Sequence, residues 1–164
     1  MIKNVANPVE EKVDLVRNAF EHRATWFYLL LDEMKKRGID YEEIGRAAIL
    51  NCGCFHGDQK KEVCLDCNDA REFGKVFAND TVRKVFDMEV LEEDEDKLYL
   101  DFHYCPLVAA WIKAGAKEEE IPVLCDIAME GDRGIVSRFD GYSFRLDGTI
   151  AGGDPVCRIR IEKK

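Results

Sequence analysis

Hydrophobic residues along the first third of the chain recur at helical spacing. Val9, Val13, Val16, Phe20, Phe27, Leu30 and Met34 fall three or four residues apart or at multiples of that step, which predicts one long amphipathic helix. Asn7-Pro8 with Glu10 reads as its start and Lys35-Lys36-Arg37-Gly38 as its end. A second helix is predicted from Asp40, with Glu43 completing a capping box and Ile44, Ala47, Ala48 and Leu50 on its apolar face, running to about 51–53. A third follows from Asn68 or Asp69 to about Ala78, then a short helical turn over 80–86. The period then changes from helical to two. Phe86, Met88 and Val90 alternate with charged residues, the acidic run 92–96 makes a turn, and Leu98, Leu100 and Phe102 alternate with Tyr99, Asp101 and His103, which predicts a half-buried hairpin. The same parity sets His103 on the face opposite Leu98, Leu100 and Phe102.

Pro106 suits the first turn of a helix over 106–114 that stops at Gly115, placing Cys105 at its N-cap. Another helix is predicted over 122–130. Two strands follow, 135–146 bent at Gly141 and 156–161, the latter with Cys157, Ile159 and Ile161 on one face and Arg158 and Arg160 on the other. The expected architecture is α+β: one domain over 1–164, in which an N-terminal helical layer (1–85) packs on a small, mostly antiparallel sheet with an inserted helix pair (86–164).

Composition narrows the function. The 164 residues carry 46% hydrophobic and 35% charged side chains and a formal net charge of -9, an ordinary globular balance that disfavours a nucleic-acid surface or an anionic membrane. The N-terminus lacks an apolar signal region, so a cytoplasmic protein is expected. Seven cysteines are then an odd number in a reducing compartment, which points to metal ligands, reactive thiols or buried packing rather than a disulfide framework.

The cysteines form two groups. Cys52, Cys54, Cys64 and Cys67 lie in CGCFHGDQKKEVCLDC, where four thiolates would satisfy a tetrahedral zinc or hold an iron–sulfur cluster; unrelated packed thiols are the competing reading. Cys105, Cys125 and Cys157 lie at or near the ends of predicted elements, as do His103, Asp126, Asp132 and Asp154. Backbone N–H groups at a helix start lower a thiol pKa, so Cys105 reads as a nucleophile, His103 as its base and Asp126 or Asp154 as the orienting carboxylate. Cys125 and Cys157 are expected to converge there and, with Asp126 and Asp154, to form the rest of the site; three thiols and His103 could instead bind zinc, and simple burial is the competing reading for Cys125 and Cys157.

Cys-Pro-Leu (105–107), Gly115, Leu-Cys-Asp (124–126), Thr-Ile-Ala-Gly-Gly-Asp (149–154) and Cys157-x-Ile-x-Ile together resemble the L-2-amino-thiazoline-4-carboxylic acid hydrolases over roughly 98–161. The resemblance implies a small hydrolase acting on a non-peptide C–N bond, which opens a cyclic isothiourea toward cysteine through an N-carbamoyl intermediate; an activated Cys105 or a cysteine-held metal hydroxide would attack the electrophilic C–N centre with loss of a thiolate or amine. It also implies a small substrate bearing a carboxylate, for which Arg133, Arg138, Arg158 and Arg160 are candidate cations. The alternative is a non-catalytic sensor that binds a metal or small ligand through its cysteine clusters.

Overall fold

A computed structural model describes all residues from Met1 to Lys164. Helices α1 (Glu11–Lys36), α2 (Tyr41–Val63), α3 (Ala70–Phe77) and α4 (Asp80–Val85) precede the hairpin β1 (Met88–Glu93) and β2 (Lys97–Phe102). Then come α5 (Pro106–Lys113), α6 (Ile121–Ala128), α7 (Glu130–Ser137), β3 (Tyr142–Leu146), a 3-10 turn (Ile150–Gly152) and β4 (Cys157–Lys163). The strands form one antiparallel sheet in the order β1-β2-β4-β3, so the expected α+β class holds. No helix is long and apolar enough to cross a membrane.

The inner face of the sheet is built by cross-strand pairs. Leu98 faces Ile161, Leu100 faces Ile159 and Phe102 faces Cys157 across β2 and β4, and all six are buried. The outer face is polar: Arg160 donates to Asp101 (2.8 Å) and lies over the Tyr99 ring. Helices close over the inner face, and Trp111 of α5 anchors α1 by donating its indole N–H to the Ala24 carbonyl (3.1 Å).

Local signals explain most boundaries. Asp40 accepts the Glu43 N–H (3.0 Å) at the start of α2, Asp69 caps α3 and Asn79 caps α4. Gly38 and Gly115, both at positive φ, end α1 and α5. The start of α1 differs from expectation: Asn7 caps nothing, its amide reaching Asp87 and its carbonyl accepting from Arg17 (2.8 Å). The helix begins at Glu11, its buried face is Val13, Arg17, Ala24 and Leu31, and Leu30 is exposed.

Two larger expectations fail for one reason. The second helix does not stop near 51–53 but runs to Val63, and residues 130–137 form a helix rather than the start of a strand. Both follow from a close-packed seam between α2 and α7. A Cβ on Gly53 would stand 2.2 Å from the Gly131 carbonyl oxygen, and one on Gly134 would stand 2.6 Å from that of Leu50. Glycines that read as helix breakers in α2 are the residues that let the two backbones touch, and tertiary contact overrides their poor helix propensity. The β-branched pair Ile135-Val136, which suggested a strand, instead packs one side of α7 into the core.

Candidate functional site

Cys105, Cys125 and Cys157 come from three different elements and meet at one end of the sheet. Cys105 is the N-cap of α5, Cys125 lies in α6 and Cys157 opens β4; they are 9, 7 and 7% exposed. Each is fixed differently. Asn4 brackets the Cys105 peptide, its amide donating to the Cys105 carbonyl (2.8 Å) and its Oδ1 accepting the Cys105 N–H (2.9 Å). The N–H of Ile150 donates to Cys157 Sγ (3.3 Å). The Cys125 thiol is pushed well above the usual range by burial and by the neighbouring Cys105 and Cys157 sulfurs.

The expected low pKa of Cys105 is overturned. Burial pushes its thiol up to about 11, against the Val108 and Leu107 N–H groups of the α5 start, which favour the thiolate. Desolvation by the surrounding protein outweighs these two backbone hydrogen bonds. Cys157 is likewise pushed up to about 12, by burial and then by Cys105. In the native protein at pH 7.5 we therefore expect iodoacetamide to alkylate Cys105 at least about tenfold more slowly than exposed Cys52, as read by peptide mapping over time. Equal rates would show that the thiol is far more open than its burial indicates.

The carboxylate that joins these thiols is Asp132 of α7. It keeps some accessible surface although protein surrounds it deeply. Its charge bears on all three thiols. Burial raises it to about 6, against the pull of Arg23, Lys60 and Arg133. Of these cations, Arg133 is already paired with Asp126 (2.7 Å) and Glu130 (2.8 Å). Arg23 has no carboxylate partner, and Lys60, half-buried and held below the usual amine range by that burial, donates only to the Val76 carbonyl. Asp132 was legible as an acid on an apolar helical face, since Val136 and Phe139 follow it at i+4 and i+7 and both are buried.

The other expected partners stand elsewhere. His103 is exposed on the outer face and its Nε2 pairs with Glu89 (3.1 Å) on β1. Hydrogen bonds from Arg133 and Arg46 hold Asp126 below the usual carboxylate range despite the opposing effect of burial. Asp154 accepts the Thr149 N–H (3.1 Å) and pairs with Arg158 (3.2 Å), shaping the turn before β4. A thiol–imidazole–carboxylate triad is thus not assembled. The candidate carboxylate-binding cations Arg138, Arg158 and Arg160 are engaged with Asp58, Asp154 and Asp101.

The four-thiolate metal centre does not fit the residues present. Cys52 and Cys54 sit in mid-α2, two residues and so about 200° apart around the helix. Cys52 is exposed, Cys54 contacts Ser137 Oγ (3.7 Å), and Cys64 lies beyond the helix end, about 15 Å of helical rise from Cys54. No three His, Cys, Asp or Glu side chains are grouped so as to hold a metal ion.

One sheet and its overlying helices thus enclose three thiols, with a carboxylate close by. The chain belongs to the L-2-amino-thiazoline-4-carboxylic acid hydrolase family, whose model matches residues 17–161. All three buried cysteines and Asp132 lie inside that span. No curated protein matches the chain in sequence. The fold is also that of a trafficking protein particle complex subunit 3 from Naegleria fowleri, solved covalently bound to palmitic acid, with TM-score 0.57 and 15% identity over 90% of this chain and 96% of that one. At that identity the likeness is one of fold alone.

Proposed function

We propose that the chain hydrolyses a small cyclic isothiourea bearing a carboxylate, of the 2-aminothiazoline-4-carboxylate type, in the crevice between Cys105, Cys125, Cys157 and Asp132. The observation that carries this reading is the convergence of three thiols on one buried carboxylate inside the family-matched region. Asp132, raised to about 6, is largely ionised at neutral pH and sits where a protonated isothiourea would find its counter-ion. Arg23 and Lys60, the two cations without carboxylate partners, suit the substrate's own carboxylate.

Cys105 is the proposed nucleophile. A bound cation beside a thiol favours its thiolate, so the substrate offsets the burial that keeps Cys105 protonated in the free protein. The Cys105 sulfur bonds to the amidine carbon, the ring carbon–sulfur bond breaks, and the thiol proton passes by way of Asp132 to the departing sulfur. Water then adds to the same carbon and displaces Cys105, leaving an N-carbamoyl thiol product; one water is consumed and the enzyme thiol is regenerated. The Leu107 and Val108 N–H groups favour the Cys105 thiolate before it attacks and again as water displaces it.

The test is turnover of L-2-amino-thiazoline-4-carboxylate, followed as new free thiol. Cys105→Ser is expected to lower kcat about 10³-fold or more, while Cys52→Ser stays within about twofold. Arg23→Met is expected to raise KM about tenfold for the acid, and to leave KM for decarboxylated 2-aminothiazoline unchanged. An untouched substrate, or full activity in Cys105→Ser, would reject the mechanism. The palmitate held covalently by the trafficking subunit favours a second reading, a binding module that retains a ligand without turnover. Saturable protection of Cys105 from alkylation with no product formed would select it.

A further inference from the structure

The turn joining α2 to α3 holds two thiols outside the crevice. Cys64 is the C-cap of α2, and Cys67, three residues on, has its Sγ 3.9 Å from the carbonyl oxygens of both Lys61 and Cys64. Both thiols are partly exposed. Beside them is Tyr142, 2% exposed, whose hydroxyl has no protein partner. Burial, then Asp69, Cys64, Asp66 and Cys67, push that hydroxyl up to about 12, so it faces this same turn. Neither Cys64 nor Cys67 bears on the buried trio.

We propose that Cys64 and Cys67 form a second reactive site, a vicinal dithiol that exchanges with small-molecule disulfides and closes to an intrachain disulfide. The thiolate of Cys67 attacks one sulfur of the disulfide RSSR, forming Cys67–S–S–R and releasing RS⁻. Cys64 then attacks the Cys67 sulfur, the protein disulfide forms, and the second R–S group leaves with the Cys64 proton as RSH. Two protein thiols are oxidised and one small disulfide is reduced to two thiols. The order follows from burial, which pushes the Cys64 thiol up to about 12 and leaves Cys67 as the first attacker. The Tyr142 hydroxyl, with its proton unengaged by protein, is the donor at hand for charge developing on sulfur. A span of three residues closes with little backbone movement because the Cys67 sulfur already touches the Cys64 peptide.

The test equilibrates the full chain with glutathione and glutathione disulfide at graded ratios, quenches with acid, then unfolds, alkylates, digests and maps it by mass spectrometry. At the oxidising end a 64–67 cross-link about 2 Da lighter than the dithiol is expected, with alkylatable thiols falling from seven to five and recovering in dithiothreitol. Cys64→Ser is expected to trap Cys67 as a stable mixed disulfide with glutathione, and Cys67→Ser to abolish the cross-link. Continued alkylation of Cys67 at the oxidising end, a mixed disulfide alone in the unsubstituted chain, or pairing among Cys105, Cys125 and Cys157 would each overturn the proposal. So would protection of both thiols that requires zinc and is reversed by a chelator rather than a reductant.

Discussion

Replacing Asp132 by asparagine is expected to remove turnover and, at the same time, to make the protein harder to unfold. The two effects share one cause. Asp132 is the single carboxylate enclosed with the three thiols, and burial raises it to about 6. A general acid–base group of this kind contributes about 10²–10⁴-fold to kcat, so a loss of that size is expected in Asp132→Asn, together with loss of the limb of the pH–rate profile near pH 6. The stability effect has a definite sign. An acid whose folded pKa lies above its unfolded value binds its proton more tightly when folded. Its contribution is fully present below about pH 4 and is lost as pH rises through about 6. At pH 4 wild type and Asp132→Asn should therefore unfold alike. At pH 8 the variant should be more stable by up to about 3 kcal/mol, or several degrees in Tm. Calorimetry at the two pH values with kcat on the same preparations checks both. Destabilisation at pH 8 would mean that the carboxylate is a structural hydrogen-bond partner, and near-normal turnover would remove it from the chemistry.

The second large effect lies in the α2–α7 seam, and it differs between two glycines that oppose each other. Gly53→Ala is expected to cost about 3 kcal/mol or more, because its new Cβ would lie 2.2 Å from the Gly131 carbonyl oxygen and both sides of the contact are helical backbone with nowhere to move. Gly131→Ala in the facing helix meets only Ile49 Cγ2 at 3.6 Å, an ordinary contact. It should be neutral or stabilising by up to about 1 kcal/mol, from helix propensity. Chemical denaturation of the two variants decides the matter. Equal effects of either sign would show that the helices do not approach as closely as this. The seam also sets the rotation of α7, and with it the direction of Asp132, so Gly53→Ala should lose activity even at temperatures where it remains folded.

Much of the fold was legible from periodicity and capping. Asp40, Asp69, Gly38 and Gly115 mark their helix ends by local chemistry, which a sequence displays directly. The change to alternation at residue 86 marks the hairpin for the same reason. What was not legible depended on contacts distant in sequence. Gly53 and Gly57 look like breakers until α7 is laid against them, and residues 135–136 look like a strand until α2 is there to pack on. The site divides similarly. The convergence of Cys105, Cys125 and Cys157 was foreshadowed by their places at element ends. His103 was a misassignment that alternation already argued against, because its parity sends it outward while the chain turns Cys105 in. Asp132 stood out with Asp126 and Asp154 at an element end but carried no assigned role, because the other two lie beside cysteines in sequence whereas this one comes near them only through the turn between α6 and α7. The pKa of Cys105 was misjudged because a helix start can be recognised locally and the degree of desolvation cannot.

The strand order has a consequence for how the chain comes to be folded as it is made. β4 is the last of the sheet's four strands to be translated, yet it lies between β2 and β3 and brings Cys157 to the other two buried thiols. Until it emerges from the ribosome, β3 has no neighbour in the sheet and the row Leu98, Leu100, Phe102 on β2 lacks its facing row. The nascent protein is thus a set of helices and one hairpin with its greasiest edge open, which is the interval in which holdase chaperones act and edge-to-edge association competes. Insertion of β4 closes the sheet and completes the thiol trio in a single late event, so no partly made chain carries the assembled site.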